Sequence, residues 1–326
     1  MTRERDVAVE AVRTASRLCR AVRASFSDAL AMEKADRSPV TVADLGSQVL
    51  ISLALGAAFP ADPLMGEEDA SQIRGNATGD IRAALHARLA ELIPGLDEQT
   101  AEAALERCDD AGGPRGRWWT LDPVDGTKGF LRGGQYAVAL ALIEDGAVQL
   151  GVLGCPNLER ADGRTGSIFV AQHGRGTWEL ALDGEADETR VRVAGICDPS
   201  QARYAESLEA AHSAQDEALL IAERLGITEP PLRLDSQVKY GLVARGDASV
   251  YLRIPRGGYV ENIWDHAAGA IVVTEAGGIV TDVDGVPLDW TTGRRLDRNR
   301  GIIAAPAAIH GAVVAAARSV LPVRPG

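Results

Sequence analysis

Two aspartates three residues apart, Asp122 and Asp125, lie in the segment Leu121-Asp122-Pro123-Val124-Asp125-Gly126-Thr127-Lys128-Gly129, just after the short apolar run Trp118 to Leu121. Pro123 fixes a turn, Gly126 lets the backbone come close, and the Val124 carbonyl offers one more oxygen, so the segment can aim several hard oxygens at one cation pair. Mg²⁺ prefers donors of this kind. An Asp-rich turn that merely caps the next helix accounts for either aspartate alone, but it leaves Thr127 and Lys128 unexplained.

Two other acidic motifs are candidates to complete the site: Gly66-Glu67-Glu68-Asp69 and Trp264-Asp265-His266-Ala267-Ala268-Gly269. Asp265 is read at a helix start, where its carboxylate can hold a metal while helix N–H groups face an anion. Each motif also has a plain reading, as a solvated acidic loop and as an N-cap. His266 is read as a packing or hydrogen-bonding partner, because hard Mg²⁺ prefers oxygen to imidazole. Asp44, in Ser38-Pro39-Val40-Thr41-Val42-Ala43-Asp44, stands at another helix start, and the N-cap reading applies to it as well.

The elements that must position these groups are legible in the apolar spacing. Val12, Ala15, Leu18, Cys19, Val22 and Phe26 recur at intervals of three and four and predict a helix over 7–30. A second helix is expected from Asp44 to Phe59, stopped by Pro60. Residues 70–116 read as a turn-rich insertion with little chemistry, apart from a helical stretch near 80–92. Segments 136–143 and 147–153 flank Asp145-Gly146, a hairpin signal. Further on, 203–225 reads as helix, Val250 to Ile254 as strand, Trp264 to Ala276 as a helix broken by Gly277-Gly278, and 279–283 as strand. Mixed elements without a repeating period predict a layered α/β architecture.

The chain has 326 residues, 46% of them apolar, enough to bury a large core as one big domain or two joined halves. Its 46 acidic and 34 basic residues give a net charge of -12, which disfavours polymeric nucleic acid and anionic membrane surfaces as partners. An anionic ligand then needs a local reversal of sign, which cations at a carboxylate cluster would supply. Cys19, Cys108, Cys155 and Cys197 show no Cys-x-x-Cys spacing, which argues against zinc and against a disulfide framework and favours a reducing cytoplasm. The N-terminus is charged, and no apolar run approaches the length of a membrane span. Nothing in the sequence fixes an oligomeric state.

Taken together, Gly66-Glu67-Glu68, Asp122 to Thr127, Trp264 to Gly269 and Glu275-Ala276-Gly277-Gly278 resemble the magnesium-dependent, lithium-sensitive phosphatases of the inositol monophosphatase superfamily. Within it the sequence is most similar to the 3'(2'),5'-bisphosphate nucleotidases. The residues that carry this are Thr127 to Gly133, Gly151 to Asn157, Asp235-Ser236-Gln237-Val238-Lys239-Tyr240 and Val250-Tyr251-Leu252-Arg253. The resemblance runs over roughly residues 34–305, with gaps at 70–116 and 158–200. One departure is Val42-Ala43-Asp44-Leu45, where the nucleotidase pattern has Gly, Asp, Tyr; it bears on helix packing there and keeps the aspartate.

The resemblance implies an αβαβα sandwich of two closely packed subdomains, 1–155 with most metal ligands and 156–326 with the nucleotide residues and Asp265. It implies two or three Mg²⁺ ions on Glu67, Asp122, Asp125 and Asp265 with the Val124 carbonyl, and lithium as an inhibitor. Asp44 and Thr127 match the pair that orients and deprotonates the attacking water, with Asp44 bonded through the Thr127 hydroxyl. Thr127, His212, Ser236, Lys239, Arg253 and Asp265 match substrate-binding positions, Lys239 and Arg253 forming a basic rim for the phosphate that is not cleaved. The implied reaction removes the 3'-phosphate of adenosine 3',5'-bisphosphate, and of its phosphosulfate analogue. The alternatives are a phosphatase of the same superfamily acting on inositol phosphates or fructose 1,6-bisphosphate, and a catalytically dead nucleotide sensor. The full set of carboxylates argues against the sensor.

Overall fold

The computed structural model describes residues 3–24, 31–33, 39–68, 79–184, 188–208, 214–254 and 258–322. Its helices are α1 (Arg3–Ala24), α2 (Val42–Ala58), α3 (Gly79–Leu92), α4 (Glu98–Glu106), α5 (Thr127–Arg132), α6 (Gln215–Arg224), α7 (Val238–Arg245), α8 (Ala267–Glu275) and α9 (Ala307–Val320). The strands are β1 (Ala31–Glu33), β2 (Pro39–Thr41), β3 (Leu64–Gly66), β4 (Arg117–Asp125), β5 (Ala137–Glu144), β6 (Ala147–Glu159) and β7 (Thr165–Gln172). They continue with β8 (Gly176–Ala181), β9 (Glu188–Val191), β10 (Tyr204–Ser207), β11 (Leu232–Leu234), β12 (Val250–Arg253), β13 (Gly278–Thr281) and β14 (Ile302–Pro306).

The Asp145-Gly146 turn takes φ values of 48° and 78°, the left-handed pair that a tight hairpin between twisted strands requires, and it joins β5 to β6. Around this hairpin a seven-stranded sheet runs in the order β3-β4-β5-β6-β7-β8-β9. Only β3 and β4 pair in parallel; the rest is an antiparallel meander. A second, five-stranded sheet runs β11-β10-β12-β14-β13, parallel on the β11 side and antiparallel on the β13 side.

Side chains along a strand alternate between faces, and β5 is apolar on both. Leu140 and Leu142 pack with Val12, Leu18, Leu45 and Val49 of α1 and α2. Ala139, Ala141 and Ile143 pack instead with Val243, Ala268 and Val272 of α7 and α8, which also touch Tyr251 and Ala304 of the second sheet. Ile221 of α6 and Val313 of α9 cover the far face of that sheet against Val250, Leu252 and Ile303. The layers are therefore helix, sheet, helix, sheet, helix, the expected αβαβα sandwich. Two glycines of β6 let helices approach from both sides: a Cβ on Gly151 would lie 2.4 Å from Ile271 of α8, and one on Gly154 2.3 Å from the Ser16 hydroxyl of α1. Leu45, at the position that departs from the nucleotidase pattern, is fully buried in the α1–α2 contact.

Several expectations need correction. The helix expected over 203–225 is strand β10 followed, after residues outside the description, by α6. Tyr204-Ala205-Glu206 has helical composition, but pairing on both sides with β11 and β12 overrides it. The 70–116 segment holds a second helix, α4, whose start is capped by Asp97 accepting from the Thr100 N–H at 2.7 Å. The division expected at 155/156 falls inside β6, and the chain changes sheet between Val191 and Tyr204.

Candidate active site

In an undisturbed strand, residues three apart point to opposite faces. Between Asp122, opposite Ala139, and Asp125, opposite Ala137, β4 carries one residue more than β5, and this bulge brings both carboxylates to the same end of the sheet. Glu67 follows β3, and its N–H donates to the Leu121 carbonyl at 3.1 Å, so parallel pairing delivers it beside Asp122. The Glu67 and Asp122 side chains hydrogen-bond, and Asp122 also feels the charges of Asp125 and Asp265. Asp265 comes from the other half of the chain, in the turn before α8, where Asn262 donates to it through backbone N–H (3.4 Å) and side chain (3.3 Å).

Four expected cation ligands, Glu67, Asp122, Asp125 and Asp265, thus converge. Burial, then the charges of Glu67, Asp125 and Asp265, push the Asp122 carboxyl well above its ordinary range. Asp125 is pushed up to about 6 by burial, against the pull of Lys239, the Gln237 N–H and Arg253. Burial raises Asp265 as well, with Arg253 opposing. Among the described residues, Asp122 Oδ1 is buried and has no hydrogen-bond partner. Crowded carboxylates and an orphaned buried oxygen are what an all-oxygen site for Mg²⁺ presents before a cation neutralises it, so the donor set fits the expected ion.

The other expected site residues are placed as follows. Asp44 is fully buried in the first turn of α2, where its charge adds to burial in pushing the Cys19 thiol up to about 12. Thr127 opens α5, and its hydroxyl donates to the Val124 carbonyl at 3.1 Å. A hydroxyl has one proton, so donation to Asp44 requires that rotor to turn. Ser236 and Lys239 lie at the threshold of α7, and Arg253 ends β12. His212 lies outside the described residues. Lys239 is not on a rim. It is 1% exposed, donates to the carbonyls of Leu234 (3.1 Å) and Ser236 (2.6 Å), and sits over the Tyr251 ring. Burial lowers its pKa to about 8, with Asp125 and Asp235 opposing and Arg253 adding to the fall.

The N–H groups expected at the start of α8 are largely spent. Those of His266 and Ala267 go to the Ile263 carbonyl (3.1 and 2.9 Å) and that of Gly269 to the Gln237 side chain (3.1 Å). The first turn of α5, in contrast, follows Gly126 in left-handed conformation and carries no side-chain cap.

A profile of the inositol monophosphatase family matches residues 2–321. The chain belongs to the inositol monophosphatase family. That family is generally Mg²⁺-dependent, in keeping with the carboxylate cluster. Curated relatives include a 3'(2'),5'-bisphosphate nucleotidase of Oryza sativa, 46% identical over 92% of this chain and 89% of its own length. Another, from Emericella nidulans, is 42% identical over 98% of both chains. Among solved structures, the extragenic suppressor protein suhB of Bartonella henselae shares the fold with a TM-score of 0.67, at 21% identity, over 97% of this chain and 98% of its own.

Within this inositol monophosphatase fold, sequence reasoning missed the residues that hold the site together. Gln237 donates its backbone N–H to Asp125 and, through its side chain, bridges the Trp264 carbonyl (2.9 Å) and the Gly269 N–H. Gln48 of α2 clamps the Glu68 backbone in both directions, at 2.7 and 3.1 Å. Arg294 donates to the Gly66 carbonyl at 2.7 Å while covering the Trp264 ring, so it ties the Glu67 loop to the Asp265 turn. Glu261 pairs with Arg253 at 2.8 Å and with His266 at 3.1 Å. His266, as expected, is a hydrogen-bonding partner: its other nitrogen meets the Tyr240 hydroxyl at 2.8 Å. Although Glu261, Asp265 and His266 lie close together, both imidazole nitrogens are engaged. None of these roles has a sequence signature, because glutamine and arginine bridges depend on which loops meet.

No helix among the described residues is long and apolar enough to cross a membrane.

Proposed function

We propose that the chain is a Mg²⁺-dependent 3'(2'),5'-bisphosphate nucleotidase, which hydrolyses the 3'-phosphate of adenosine 3',5'-bisphosphate to AMP and phosphate and also accepts the 5'-phosphosulfate analogue. The observation that carries this reading is the placement of Arg253, a cation close enough to act on both Asp125 and Asp265 in a chain of net charge -12. One phosphate belongs at the carboxylate cluster and a second beside Arg253. The names of the curated relatives support the same substrate.

In this reading Glu67, Asp122, Asp125, Asp265 and the Val124 carbonyl would hold two or three ions, and lithium would be an inhibitor. Mg²⁺ bound there supplies Lewis acidity toward the phosphoryl oxygens and makes a nearby water easier to deprotonate. Thr127 orients that water and Asp44 takes its proton. The uncapped first turn of α5 turns backbone N–H groups toward charge that builds on the phosphoryl oxygens. Arg253 binds the phosphate that stays, Ser236 adds a hydroxyl, and buried Lys239 shapes the Ser236 loop. His212 is a further candidate for holding the nucleotide. A reducing cytoplasm suits cysteines that are all unpaired.

The test is ³¹P NMR of adenosine 3',5'-bisphosphate with protein and Mg²⁺. Loss of the 3'-resonance with retention of the 5'-resonance is expected; loss of the 5'-phosphate, or no change, overturns the reading.

A further inference from the structure

A guanidinium is planar, so fixing one nitrogen and one face fixes where its remaining N–H groups point. Arg253 is held in both ways. Its Nε donates to Glu261 Oε2 at 2.8 Å, and its guanidinium carbon lies over the Tyr259 ring, 5.9 Å from the ring centre. The same Oε2 accepts from His266 Nε2 at 3.1 Å, and His266 Nδ1 meets the Tyr240 hydroxyl at 2.8 Å. Both imidazole nitrogens are thus engaged, and His266 links the Tyr240 hydroxyl to the Glu261 carboxylate. The Tyr240 ring leaves no latitude at its end of the chain: it packs edge-on to Tyr251 and lies 2.1 Å from where a Cβ on Gly269 would stand.

Glu261 is 2% exposed, an expensive place for a carboxylate unless its charge has work to do. Burial opposes that charge, yet Arg253 and His266 outweigh it and hold the carboxyl down to about 2. Tyr259 is 50% exposed, an aromatic ring left at the surface while its neighbour two residues on is buried. A structural ion pair explains Glu261 alone. It does not explain a relay that ends in a cation facing the carboxylate cluster, nor an exposed ring laid over that cation.

We propose that Glu261 and Tyr259 are positioning residues that clamp Arg253 toward the non-reacting phosphate, with His266 and Tyr240 bracing Glu261 from behind. This rests on the reading in which Arg253 meets that phosphate. Neither residue touches the substrate; both spare the substrate the cost of ordering a long, flexible side chain. The clamp sets affinity for a second phosphate and leaves the chemical step alone.

The experiment compares adenosine 3',5'-bisphosphate with adenosine 3'-monophosphate, which lacks the second phosphate. Glu261→Gln is expected to raise KM for the bisphosphate by about tenfold, a charge-assisted hydrogen bond's worth, with kcat and the monophosphate KM little changed. On an Arg253→Ala background the same substitution is expected to add nothing. Should Glu261→Gln fail to fold, exposed Tyr259 carries the test: Tyr259→Leu raises the bisphosphate KM about threefold through loss of the cation–π contact, and Tyr259→Phe, which keeps the ring, restores it. Equal losses on both substrates, or an undiminished effect on the Arg253→Ala background, overturn the clamp. Wild-type protein that prefers inositol 1-phosphate overturns the nucleotidase reading and the clamp together, a result visible before any variant is made.

Discussion

The backbone N–H of Gln237, at the threshold of α7, donates to a carboxylate oxygen of Asp125, at the end of β4, across 2.5 Å. These residues belong to different halves of the sandwich, and the bond makes the site a product of their docking. Gly126, next to Asp125, is pressed against the same loop: a Cβ there would stand 2.9 Å from Ser236 Cβ. Ser236 itself takes φ of 70°, a left-handed conformation that few side-chain-bearing residues adopt. The strain sits where the two halves meet over the carboxylates.

Gly126→Ala is therefore expected to destabilise the protein by about 1–3 kcal/mol, because φ of 84° disfavours a side chain and the new methyl meets Ser236. Denaturant unfolding measures the loss, and kcat should fall with it. A variant with wild-type stability would mean that the two halves have slack at this contact.

Without cations the carboxylates of the cluster repel one another, so Asp122→Asn should raise the melting temperature of chelator-treated protein while abolishing phosphate release. It should also remove most of the rise in melting temperature that Mg²⁺ gives the wild type, since binding to the folded state is what produces that rise. Thermal scans with Mg²⁺ and with chelator, on both proteins, decide it; a lower melting temperature for the chelated variant contradicts the repulsion.

The pH dependence follows with a definite sign. Asp125 has a folded-state pKa of about 6 against an ordinary 3.8, and Asp122 and Asp265 are raised as well. Between those values the folded state binds more protons than the unfolded one, so stability falls as pH rises. Chelated protein should accordingly lose stability from about pH 4 through pH 6 and beyond, and Mg²⁺ should flatten the slope. Glu261, held down to about 2, has the opposite sign, but its contribution is lost only as pH falls below its ordinary range toward 2. Urea titrations across this range read the slope directly; a rise in stability from pH 4 to 6 in chelator contradicts it.

Lys239 and Arg253, alike in sequence as two basic residues in specific motifs, should behave differently. Lys239→Met leaves the Leu234 and Ser236 carbonyls without their donor and is expected to cost about 1–3 kcal/mol of stability, with KM rising as the loop shifts. Arg253→Ala should raise KM for the bisphosphate about tenfold or more and the monophosphate KM much less. Paired melting curves and steady-state kinetics separate the two.

The acidic motifs that meet in one cluster and the layered fold were legible because they are local. An Asp-x-x-Asp turn, a Gly-Glu-Glu loop and a Trp-Asp turn keep their meaning wherever the chain takes them, and Asp145-Gly146 marks its hairpin without help. The bulge that makes Asp122 and Asp125 share a face was not legible, since it exists only in the register of β4 against β5. Nor was the burial of Lys239, which depends on Tyr251 and on the carbonyls before α7. Strand β10 was hidden for the same reason: its neighbours β11 and β12 come from well downstream.

The central claim is that one site cleaves a phosphate at the carboxylate cluster while Arg253 holds another, and the most direct test is kcat/KM for adenosine 3',5'-bisphosphate against inositol 1-phosphate, with Mg²⁺ and with chelator. A strong preference for the bisphosphate that vanishes with the cation is expected. A preference for inositol 1-phosphate, or activity that survives chelation, would contradict it.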